Sequence, residues 1–211
     1  ALLENDEQDG LAHFLEHMAF QGTKNFPGKG IITSLEKHGV SFGRNINAYT
    51  AQNETVYNLS DVPTNSESLL DTCLLILHDW SYYLTLEDDE IDAERGVITE
   101  EWRTRRTPQF RIQKQMFPVL FKDSKYAIRD VIGNLDVIKN FKYQTIRDFY
   151  HEWYRTDLEA IAIVGDFDVA KMEQKVKELF SKIPAVENPT PRPFYEIPEH
   201  DEMYYLSLIH I

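Results

Sequence analysis

His13-Phe14-Leu15-Glu16-His17 is the stretch from which the rest of this chain is read. On a helix, residues four apart lie one above the other on one face, so His13 and His17 stack and Glu16 leans toward the same side. Two imidazoles at that spacing can close on one tetrahedral ion, and a carboxylate beside them can take a proton from a water at the metal. The order H-x-x-E-H inverts H-E-x-x-H and is itself a zinc-hydrolase signature. The alternative is a solvated helix face carrying a local Glu–His pair. Only the metal reading demands a third ligand elsewhere in the chain, with another acid near it.

Composition narrows the partners. The 211 residues suit one large domain or two small ones. A hydrophobic share of 42% and a charged share of 27% are those of an ordinary globular protein. No run of 18 apolar residues occurs, so the sequence offers no membrane-spanning segment. It starts at Ala1 without a basic-plus-apolar leader, so an export signal is either absent or already removed, and the compartment stays open. A net charge of −13 argues against nucleic acid, which needs a basic footprint, and suits a basic or neutral peptide. Acidity for solubility alone is the plainer alternative. With one cysteine, Cys73, there is no internal disulfide and no Cys-rich zinc site. Any zinc site must be built from histidine and carboxylate.

The pattern along the chain predicts helices over about 11–20, 31–38, 66–84, 88–106, 110–121 and 143–154, and a last one that begins after Asp168 and is ended by Pro184. Cys73 falls on the apolar stripe of the fourth-turn repeat in 66–84 and reads as a small core residue. Phe149, Tyr150, Trp153 and Tyr154 form an aromatic core face. Asp168 is the expected N-cap of the last helix, with Val169, Met172, Val176, Leu179 and Phe180 inward. Segments 40–51 and 54–61 read as two strands of a hairpin, and the unbroken apolar run Ala160–Val164 reads as a buried central strand. Residues 122–142 read as loop with a turn at Gly133-Asn134. Residues 184–200 hold five of the nine prolines and read as an extended arm, and 203–211 as a weak last strand. Helices and strands in mixed order give an α+β fold, a mixed, largely antiparallel sheet covered by helices.

The demanded third ligand has a place. In the helix at 88–106, Glu94, Val97, Ile98 and Glu101 lie on one stripe. Two carboxylates on a core-facing stripe are costly unless a cation compensates them. The alternative is a pair of half-exposed glutamates at the helix edge, and the spacing alone does not choose.

At this point the chain resembles a known family. His13-Phe14-Leu15-Glu16-His17 continued to Thr23, Asn47-Ala48-Tyr49-Thr50, Glu54-Thr55-Val56-Tyr57, and Glu94 to Glu101 recur in that order in the pitrilysin/insulin-degrading-enzyme (insulinase) family of zinc metallopeptidases. Asn25-Phe26-Pro27-Gly28 and Glu100-Glu101-Trp102-Arg103 look most like the bacterial members, and Ile163 to Phe167 also fits, so the resemblance spans nearly the whole chain. It implies a mitochondrial-processing-peptidase-like metallohydrolase fold and one Zn2+ per chain. It implies His13, His17 and Glu101 as zinc ligands, Glu16 as the general base that activates water, and Glu94 as an acid supporting the site from behind. Glu100, beside Glu101, points about 100° away on a helix and fits less well. Asn47 and Ala48 match an edge strand to which a substrate peptide adds as a further strand.

The activity so implied is that of a zinc-dependent metalloendopeptidase acting on extended peptides or small proteins. The alternatives are a non-catalytic scaffold or partner subunit of the same fold, against which the intact motif speaks, and a non-proteolytic metal-dependent hydrolase, against which the peptide-binding edge speaks. The resemblance further implies a single N-terminal catalytic domain over 1–211, truncated at its start. The second homologous domain or subunit that closes the site in the family is not within it. The likeness to bacterial members favours the periplasm or cell envelope over the cytoplasm.

Overall fold

The structure is a computed structural model that describes residues 1–201, 203 and 205. In chain order its elements are α1 (Leu11–Met18), α2 (Gly30–Glu36), β1 (Ile46–Thr50), β2 (Thr55–Leu59), α3 (Glu67–Tyr82) and α4 (Asp88–Thr104). There follow α5 (Pro108–Leu120), α6 (Leu135–Asn140), α7 (Tyr143–Trp153) and α8 (Val169–Phe180). The fold is α+β: helices surround a small sheet, which among the described residues is the antiparallel pair β1–β2. None of these helices is long and apolar enough to cross a membrane.

The core is built around α1. Leu11, Phe14, Leu15 and Met18 are each no more than 2% exposed, and burying such a side chain stabilises by about 1.5–3 kcal/mol. The helix packs against α4, β1 and α7, with Phe14 edge-on to Phe141 at 4.9 Å. Both of its ends are tied to distant parts of the chain. At the start, Gly10 has no side chain to cap with and a φ of +105° that disfavours any other residue. The fully buried Glu4 carboxylate does the capping instead, accepting from the backbone N–H of Gly10 at 3.0 Å and of Ala12 at 2.8 Å. Gly133 crosses this start so closely that a Cβ there would lie 2.3 Å from the Gly10 Cα. At the far end the Trp80 indole N–H donates to the Ala19 carbonyl at 2.8 Å.

The helix α4 is pinned at its first half. Arg147 on α7 donates to the Leu86 carbonyl and to Asp88, and Tyr143 donates to Asp92 at 2.6 Å. Arg95 reaches the end of α6, donating to the carbonyls of Ile138 at 2.6 Å and Phe141 at 2.7 Å. Those are carbonyls that a helix C-terminus leaves unpaired. The result is a fixed crossing of α4 over α1.

The hairpin runs in register Ile46↔Leu59 to Thr50↔Thr55. Bonds from Ala51 N–H to Glu54 and from Ser60 N–H to Asn45 set the alternation. Counting inward from either, Ile46, Ala48 and Thr50 fall in the pairs that exchange no ladder bonds. Their backbone N–H and C=O groups therefore face the edge of β1 away from β2.

Several expectations need correction. Ala160–Val164 forms no strand: a buried central strand needs neighbours on both edges, and among the described residues the only ladder is β1–β2. Val164 is 96% exposed, and the run borders a cavity of about 670 Å³ whose walls include Tyr57, Trp153, Tyr154 and Glu159. Residues 135–140, read as loop, form α6, capped by Asn134, whose side chain accepts from the Asp136 N–H at 2.9 Å. The first strand starts only at Ile46, because 43–45 turn, with Gly43 at a φ of +79°. Val97 is 51% exposed, so the inward stripe of α4 is Ile91, Glu94 and Ile98 leading to Glu101. Val169 is exposed as the first residue of α8, though Asp168 does cap that helix, accepting from the Lys171 N–H at 3.0 Å. The strand read at 203–211 lies mostly outside the described residues.

Candidate metal centre

On α1 the two imidazoles sit one turn apart, their ring centres 4.7 Å from each other. The α4 crossing brings both of its inward acids to them. Glu94, 4% exposed, accepts from His17 Nδ1 at 2.7 Å through Oε1, and from the Gln21 amide at 2.7 Å through Oε2. A carboxylate only accepts, so in neutral His17 the proton sits on Nδ1 and the Nε2 lone pair is left free. That lone pair faces Glu101, whose Oε2 lies 3.3 Å from His17 Nε2 and 3.5 Å from His13 Nε2. The other Glu101 oxygen is paired with Arg105 at 2.6 Å.

These separations test whether the residues fit a metal. Ligands at about 2.0–2.2 Å from a tetrahedral zinc lie about 3.3–3.6 Å from one another. The two histidine-to-Glu101 distances fall on that edge length, and the three donor atoms all lie within 4.8 Å of one another. A His2Glu donor set with a free fourth direction is of the kind found in catalytic zinc sites. Glu100 is excluded by helix phase: it is exposed and bonds to Arg103 at 2.9 Å.

The electrostatics split the two histidines. Burial, with the neighbouring His17 charge, pulls His13 down to about 4. Burial also opposes charge on His17, but its contacts with Glu101 and Glu94 outweigh that and raise it to about 9. The His17 contact holds Glu101 below the ordinary carboxylate range against its burial. The cluster is thus a slot for one positive charge between two carboxylates. His13 is anchored differently from His17: its Nδ1 is buried with no hydrogen-bond partner among the described residues, and its polar contact is the one between Nε2 and Glu101.

Glu16 projects from α1 about 60° around the axis from His13. Burial raises its proton affinity, and a 2.6 Å hydrogen bond from Thr50 Oγ1 to its Oε2 works the other way. Asn47 and Ala48 lie on β1, Asn47 exposed, and the Ala48 N–H is covered by the Asn47 side chain at 3.0 Å. No hydrogen bond among the described residues joins them to the cluster. The link is Thr50, further along the same strand.

His13, His17, Glu94 and Glu101 were all legible, while Gln21, Thr50, Arg105 and Glu4 were not singled out. Gln21 and Arg105 carried a signal, each standing four residues beyond a cluster member, His17 and Glu101. Thr50 and Glu4 act across the fold, and nothing in their local sequence marks them.

Comparisons with known proteins identify the family of the chain. The family described as Insulinase (Peptidase family M16) matches residues 1–122, and that described as Peptidase M16 inactive domain matches residues 140–207. The chain belongs to the insulinase family, peptidase family M16. Among its relatives, the probable zinc protease PqqL of Haemophilus influenzae is 40% identical over 186 residues, covering 88% of this chain and 20% of that protein. The zinc protease PQQL-like of Arabidopsis thaliana is 33% identical over 210 residues, 99% of this chain and 22% of that protein. The crystal structure of the first half of the periplasmic protease PqqL from Escherichia coli superposes with a TM-score of 0.87 at 38% identity, covering 95% of this chain and 42% of that one. The chain spans about a fifth of the length of the PqqL proteins of Haemophilus influenzae and Escherichia coli.

Proposed function

We propose that this chain is the zinc-holding, N-terminal catalytic domain of a metalloendopeptidase that cleaves extended peptides or small proteins. The observation that carries the reading is the meeting of His13 and His17 with Glu101, each histidine Nε2 at a tetrahedral-edge distance from its Oε2, with Glu16 on the helix of the two histidines. One zinc ion, when bound there, would lower the pKa of a water and polarise a carbonyl.

The chain's own residues supply the rest. Glu16 accepts a proton from the attacking water and delivers it to the leaving amine nitrogen, so one carboxyl serves as base and then as acid. Glu94 holds His17 by Nδ1, which leaves Nε2 as the nitrogen that would take the ion. The edge of β1 away from β2, along Asn47 and Ala48, accepts the substrate as an added strand. A second, homologous domain or subunit closes over that peptide. The periplasm is the compartment we assign, by analogy with the Escherichia coli relative described as periplasmic.

The test is Glu16→Gln in the longer protein that carries this chain. Zinc content should be unchanged, while peptide cleavage falls by about 10²–10⁴, the contribution typical of a positioned acid–base group. Cleavage surviving at the wild-type rate would remove Glu16 from the mechanism.

A further inference from the structure

Glu16 has three rotatable side-chain bonds, and a general base must hold one geometry against that freedom. The hydroxyl of Thr50 donates to its Oε2 at 2.6 Å, the length of a hydrogen bond to an ionised acceptor. Thr50 Oγ1 also lies 3.2 Å from Thr55 Oγ1, its partner across the hairpin. A threonine hydroxyl has one proton to give. With that proton committed to the carboxylate, the Thr55 hydroxyl must be the donor to Thr50, so the two bonds run in one direction, from β2 through β1 to Glu16. The pair suits this role because Thr50 and Thr55 stand in a pair without ladder bonds, where side chains come closest.

Thr50 has a second property that a simple buttress would not need. Its backbone N–H and C=O face the same free edge as those of Ala48, two residues back on the strand. A peptide added along that edge therefore pairs with the backbone of the residue whose side chain holds Glu16.

We propose that Thr50 is the positioning residue for Glu16, holding the carboxylate in register with the edge of β1 that takes the peptide. This rests on the reading of Glu16 as general base. Thr50→Val keeps the shape and removes the hydroxyl; Thr50→Ser keeps the hydroxyl and removes the methyl. In the longer enzyme, Thr50→Val should lower kcat about tenfold or more with KM within about threefold, and Thr50→Ser should recover most of it. Zinc affinity of the metal-free chain should stay within about twofold in both variants. In crystals of the metal-free Thr50→Val chain, the Glu16 carboxylate should leave its position, and in Thr50→Ser it should keep it.

Wild-type kcat in Thr50→Val overturns the proposal. So does an equal loss in both variants, which would assign the effect to packing of the methyl group. If Thr50→Val fails to fold, Thr50→Ala carries the same comparison. Glu16→Gln separates the two levels: a dead Glu16→Gln with a fully active Thr50→Val removes Thr50 alone, whereas an active Glu16→Gln removes the base reading itself.

Discussion

The crossing of α1 and α4 and the segment from 157 to 200 are made of similar residue types and end up in opposite conditions. At the crossing, apolar positions are filled and charged groups are met: Glu4 by two backbone amides, Glu94 by His17 and Gln21, Arg95 by two helix-end carbonyls. Along the segment, the strand-forming run Ala160–Val164 borders a cavity of about 670 Å³. Glu159 Oε1 and Trp153 Nε1 are buried there without partners among the described residues. The arm is fastened at separate points, such as Arg155 donating to the Thr190 carbonyl at 2.6 Å. The difference predicts that stability is concentrated at the crossing. The site is built where the chain is tied from several elements at once.

The comparison breaks most directly at the core. Leu15→Ala, at the centre of α1, should cost about 2–5 kcal/mol in chemical denaturation. Val164→Ala, at a surface position, should stay within about 0.5 kcal/mol. Equal losses would mean that the segment is as firmly packed as the crossing.

Glu159 sharpens the contrast through pH. Burial, aided by Asp157 and opposed by Ser81, raises its carboxyl to about 7. The unfolded carboxyl releases its proton near 4.5, so the folded state binds more protons between those values and stability falls as pH rises through them. The ceiling on that loss is on the order of 3 kcal/mol. Glu159→Gln should remove this part of the slope between pH 5 and 7, while an unchanged slope would place the titration elsewhere.

Within the crossing, Glu94→Gln should weaken zinc binding by about 10–100-fold, because it loosens the orientation of His17 without removing a ligand. Unchanged affinity would make the Glu94–His17 bond incidental to the metal.

The two regions also differ in how much of them was legible. Helical periodicity placed α1, α3, α4 and α7 and put Glu94 and Glu101 on one stripe, because a helix fixes its own geometry. The run Ala160–Val164 was misread for the converse reason: a strand exists only through its neighbours, and an apolar run does not say whether they are there. The six residues of α6 were too few to show a period, although Asn134 was a usable cap signal. Glu4 is one of several acids among the first nine residues. Its role depends on where the fold carries the start of α1.

Calorimetric titration of the metal-free chain with Zn2+, repeated on Glu101→Gln and Glu100→Gln, tests the central claim most directly. One ion should bind per chain, Glu101→Gln should weaken it by at least about a hundredfold, and Glu100→Gln should leave it within a few-fold. No binding, or a larger loss in Glu100→Gln than in Glu101→Gln, would contradict a site closed by His13, His17 and Glu101.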